Sequence, residues 1–144
     1  MYDLPDASQL IEAVYQHLEM NIAPMLKADA AQRKLYFQTL VAINVLKIAE
    51  REWVLRPRHL KAEWGRLNRL QEIDLPMSEN NEELADLLAR RNIQVCTDIR
   101  DGMYDTPENA GALLAHLIMT VQEQLEVANP RFLQGLAAED AARK

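Results

Sequence analysis

A chain of 144 residues is long enough to bury one core and short for two ordinary domains, so a single domain over 1–144 is expected. Hydrophobic residues make up 49% of it, with only four Gly and six Pro, which excludes a disordered or low-complexity chain. A formal net charge of -6 argues against nucleic acid as a partner, and no run of about 18 apolar residues is present to span a bilayer.

The first helix is predicted over residues 6 to 22. Asp6 and Gln9 form a reciprocal cap, and Leu10, Ile11, Val14, Tyr15, Leu18 and Ile22 follow at helical spacing. Pro24 disfavours helix at Ala23, and Asp29 with Gln32 repeats the cap spacing, so a second helix starts near residue 30. It carries Phe37, Val41, Val45, Ile48 and Leu55 until Arg56-Pro57 interrupts it. Pro57 suits the first turn of a third, more polar helix with Leu60, Trp64 and Leu67 on one face.

After the loop DLPMSENN, Asn80 and Glu83 cap a fourth helix bearing Leu84, Leu87, Leu88, Val95 and Ile99, which Gly102 ends. Thr106 and Pro107 open a fifth helix with Leu113, Leu114, Leu117, Ile118, Val121 and Leu125, and Asn129-Pro130 stops it. Phe132 and Leu133 anchor the remaining segment, which is expected to fray after about residue 134. No strand pattern appears. The expected fold is all-α, an antiparallel helical bundle of about five helices with short loops.

Charge is unevenly spread: residues 33 to 69 hold nine Lys or Arg against Glu50, Glu52 and Glu63, whereas the chain from residue 70 onward is acidic. Cys96 has no second cysteine to pair with, and the N-terminus lacks a basic and apolar leader, so a cytoplasmic protein is expected. Between Val95 and Ile99, Cys96 reads as a small core residue.

None of His17, His59 or His116 has Glu three residues before it, and Cys96 has no partner at finger spacing, so no metal and no other cofactor is expected. Ser8 and Ser78 stand at helix caps rather than in a nucleophile elbow, and no phosphate-cradling glycine loop occurs. No catalytic residue is assigned, and the balance leans away from an enzyme.

Two clusters are candidate sites. In VAINVLKIAEREWVL, Asn44 and Arg51 fall on a stripe with Val41, Ile48 and Leu55, so a polar layer of Asn44, Arg51, Glu52 and His116 is expected inside the bundle. A carboxylate among Asp98, Asp101, Asp105 and Glu108 is expected opposite Arg51. The basic segment Arg56, Arg58, His59, Lys61, Arg66 and Arg69, with Trp64, is the candidate contact for an anion or a partner; its plainer reading is a solvated face beside two core indoles, Trp53 and Trp64.

MYDLPDASQLIEAV, VAINVLKIAEREW, the IRDG of residues 99 to 102 and LLAHLIMTVQEQLEVANPRFL together resemble a bacterial family of small all-helical proteins built on a domain of unknown function. Its members are typically encoded beside an aminoglycoside-phosphotransferase-like kinase and an acyl-CoA dehydrogenase. The matched polar residues are Asn44, Arg51, Glu52, Arg100, His116, Asn129 and Arg131. The segment MLKADAAQRKLY departs from the Gly-containing turn the family suggests, which implies a longer or more helical first connection.

The resemblance implies a noncatalytic accessory subunit of a phosphotransferase-like kinase acting on hydroxyacyl-CoA in acyl-CoA catabolism. Two other readings stand beside it. One is a stand-alone acyl-CoA or fatty-acyl binding protein, or small enzyme, with the polar layer in an apolar cleft. The other is a homo-oligomeric, self-associating helical bundle.

Overall fold

A computed structural model describes residues 4 to 143, and the first three residues of the MYDLPDASQLIEAV motif lie outside that range. Every regular element among the described residues is helical: α1 (Ala7–His17), α2 (Ala23–Ala28), α3 (Arg33–Leu70), α4 (Asn81–Arg100), α5 (Pro107–Ala128) and α6 (Pro130–Ala142). The fold is an all-α helical bundle. The chain divides into two compact units, Met1–Leu55 and Arg56–Lys144, with the boundary inside α3.

In the first unit the Asp6 carboxylate accepts from the Gln9 amide at 2.8 Å and the Gln9 side chain accepts from the Asp6 amide at 2.9 Å, the reciprocal cap the sequence predicts. The helix does not stop ahead of Pro24. A π-turn, Leu18–Ile22, widens the spiral so that the Ala23 amide donates to the Leu18 carbonyl, and this wider turn accommodates Pro24 within a continuous helical run. Asp29 then caps a short 3₁₀ turn, Ala30–Gln32, that leads into α3. The connection between the first two long helices is thus helical almost throughout.

α1 and the first half of α3 run antiparallel. Ser8 donates its hydroxyl to Glu50 at 2.7 Å, and Lys47 pairs with Glu19 at 2.8 Å while its ammonium lies 5.3 Å from the Tyr15 ring centre. Ser8 therefore bridges helices instead of capping one. Ala23 and Ile43 are the buried apolar residues of this unit, and Phe37, Val41 and Val45 on α3 are exposed.

The expected break at Pro57 is absent, because α3 continues through it for 38 residues. An interior proline removes one backbone bond and costs about 3 kcal/mol. Packing of the helix beyond it offsets that loss: Trp64 and Leu67 join Leu84, Leu88 and Val95 of α4 in the core of the second unit, with Leu60, Leu70 and Leu113 packed against them.

α3 ends in a Schellman turn, in which the Glu72 amide donates to Arg69 and the Ile73 amide to Asn68, with Glu72 in the left-handed region at φ 52°. The following segment doubles back along α3. The Trp64 indole and the Asn68 amide both donate to the Leu75 carbonyl at 3.1 Å. Because Arg56 meets Glu82 and, further on, Asn68 and Gln71 meet Arg91, α4 runs in the same sense as α3. Gly102, at φ 80°, ends α4 as predicted; a Cβ there would stand 2.9 Å from the Asp105 carboxylate.

α5 runs antiparallel to α3, since Arg66 meets Glu123 and Arg58 meets Glu126. Asn129 then caps α6, which runs from Pro130 to Ala142. Pro130 in its first turn ends α5 and starts a new helix at once.

Candidate functional site

The site is built where the basic half of α3 faces α5. Arg58 and His59 both bond to Glu126, at 2.5 and 2.8 Å, and two turns further along α3 Arg66 grips Glu123 with two guanidinium nitrogens at 2.7 and 2.6 Å. Arg56 pairs with Glu82 of α4. The side chains of Arg66 and Glu123 are 9% and 14% exposed, the most enclosed ion pair described. Much of the basic segment is therefore neutralised within the fold, and its charge selects which face of α5 turns inward.

That choice is unusual. Leu113, His116, Thr120, Glu123 and Val127 recur at steps of three and four and are the residues that α5 turns toward the protein. Leu114, Leu117, Ile118 and Val121 lie roughly a third of a turn round the helix. They are 59%, 45%, 48% and 52% exposed. α5 buries its more polar face and presents its more apolar one.

His116 is buried beside this seam, with its Nδ1 unpartnered among the described residues, as is Nε of Arg66. Burial, then the Arg66 guanidinium, holds its imidazole below the ordinary histidine range, with Glu63 and Glu123 opposing. Both residues, with Arg69, Leu70, Ala112, Ala115 and Met119, line a cleft of about 270 Å³. Because its folded pKa is depressed, His116 takes up a proton more readily in the unfolded chain. Its contribution to stability is complete above the unfolded value near 6.5 and is lost as pH falls below it toward the folded value. Urea midpoints at pH 7.5 and 5.5 should therefore differ more in the native chain than in His116→Asn.

Of the residues expected in one polar layer, Asn44, Arg51 and Glu52 belong to the first unit and His116 to the second. Asn44 and Glu52 are exposed and Arg51 is half-buried. The buried stripe of that helix instead passes through Thr39 and Ile43, one position away from Asn44, so Asn44 turns outward. Burial, with Glu12, Glu50 and Glu19, raises the Tyr15 hydroxyl, and Arg51 counters that shift.

In the basic segment, Lys61 and Arg69 are exposed and have no ion pair among the described residues, whereas Trp64 is buried and its indole is satisfied by Leu75. Trp53 is exposed and is not a core indole. Cys96 is also exposed, contrary to the core reading, since Val95 takes the inward position and the next residue turns away. Arg100 lies in the last turn of α4, Asn129 caps α6 and Arg131 is exposed beside it.

Arg91 escaped the sequence reading. Its guanidinium is 4.5 Å from the Trp64 ring centre and donates to Asn68 and Gln71, a buried cation with amide partners and no described carboxylate. Burial lowers its pKa. The signal was its place on the Leu84–Leu88–Val95 stripe, where a charged residue needs dedicated partners.

Residues 29–132 match the family model described as Domain of unknown function (DUF6285). The chain belongs to that family. No curated protein and no solved structure matches it. Among the described residues no helix is long and apolar enough to cross a membrane.

Proposed function

We propose that the chain is a noncatalytic interaction subunit that docks on a protein partner through the outward face of α5. The observation that carries this reading is the inverted burial of that helix. Four large apolar side chains, Leu114, Leu117, Ile118 and Val121, form one exposed row while His116, Thr120 and Glu123 are turned inward. From Asn109 to Gln122 the helix has no Asp, Glu, Lys or Arg and its one histidine, His116, is buried, so an apolar partner surface meets no charge that must be desolvated.

The partner we propose is the phosphotransferase-like kinase that the resemblance associates with this family, acting on hydroxyacyl-CoA in the cytoplasm, with this chain as its accessory subunit. Co-expression tests it: the two proteins should elute together at micromolar concentration, and separate migration would reject the pairing. Self-association through the same uncharged row is the second reading, which a clean monomer in light scattering of the isolated chain would remove. Storage of an acyl-CoA by the chain itself is a third, and draws no support from Asn44, which is exposed.

A further inference from the structure

The cleft between the second half of α3 and α5 combines features that an ordinary packing defect lacks. Its walls are apolar at Leu70, Ala112 and Met119, and cationic at Arg66 and Arg69. Arg69 is exposed and has no carboxylate partner among the described residues. His116 is only 6% exposed, yet among the described residues its Nδ1 has no hydrogen-bond partner, and neither has Nε of Arg66. Buried nitrogens without partners are rare in folded proteins, and here two of them belong to side chains that line one cleft.

We propose that this cleft binds a compact organic anion, its oxyanion held by Arg69 and by small rotations of Arg66 and His116 toward it, its apolar tail against Leu70, Ala112 and Met119. The volume of about 270 Å³ is room for a small organic ion rather than for a long acyl chain or a nucleotide. An anion is favoured over a cation because Arg66, Arg69 and nearby Arg91 outnumber Glu63 and Glu123 around His116. The site is separate from the outward row of α5, so this inference does not depend on the partner-binding proposal.

Butyrate, butylamine, butanol and inorganic phosphate are the probes, each titrated into the full chain while the His116 ring resonances are followed by NMR, assigned with His116→Asn. Butyrate should shift them saturably, butylamine and butanol should not, and Arg69→Gln should weaken butyrate binding by about tenfold, the loss of one charge-assisted contact. Competition by phosphate would show that the oxyanion alone is recognised; its failure to compete would show that the tail is required. Equal response to butylamine or butanol, no response to butyrate and phosphate, or an unchanged butyrate affinity in Arg69→Gln would overturn the proposal. Since Arg69 is exposed and takes no part in the Arg66–Glu123 pair, Arg69→Gln should retain the native thermal midpoint, which separates loss of binding from loss of fold.

Discussion

Replacing Arg66 by Met with Glu123 left in place should lower the unfolding free energy by about 3–5 kcal/mol. The guanidinium supplies two bonds to the Glu123 carboxylate, at 2.7 and 2.6 Å, and a third at 3.4 Å to the Thr120 hydroxyl. With the pair nearly enclosed, removing one member strands a carboxylate in a poorly solvated place. The double variant Arg66→Met with Glu123→Leu should recover most of the loss, because the attraction of a buried pair largely repays its own desolvation. Urea unfolding with an unchanged slope is the appropriate measurement. A loss below about 1 kcal/mol in the single variant would show that water reaches the pair.

Leu67→Ala should cost a comparable amount, about 2–5 kcal/mol, since Leu67 is fully buried against α4 and a methyl cannot fill the space it leaves. The informative contrast is Leu117→Ala on α5, a leucine of similar helical surroundings that faces outward. That change should stay within about 0.5 kcal/mol in the isolated chain. Apolarity alone does not tell the two leucines apart.

This distinction marks where the sequence could and could not be read. Caps at Asp6, Asn80 and Thr106 and the stop at Gly102 depend on neighbours within a few residues, and each appears as expected. Helical periodicity identified the elements for the same local reason. The orientation of α5 was different: its apolar row looked like the core face, but the pairing of Glu123 and Glu126 with Arg66, Arg58 and His59, some sixty residues away in sequence, turns another face inward. Those carboxylates belong to the acidic part of the chain after residue 70, and their partners lie in the basic segment before it.

Pro57 misled for a related reason. The local rule ends a helix there, and tertiary packing of Trp64 and Leu67 overrides it. The direction of α4 likewise follows from a loop that turns back to satisfy the Trp64 indole at Leu75, a contact that no periodicity encodes. Of the candidate site, Arg66, Arg69 and His116 could each be picked out as chemistry-bearing residues, but their convergence on one cleft required the fold.

The proposed partner binds at the outward row of α5. Sedimentation velocity of the chain mixed with the phosphotransferase-like kinase, using the native sequence and Ile118→Glu, tests it directly, because a charge in the centre of the row cannot be buried without a partner. The native chain should sediment as a complex, while Ile118→Glu stays folded and sediments alone. A native chain that remains separate, or an Ile118→Glu chain that binds as well as the native one, would contradict it.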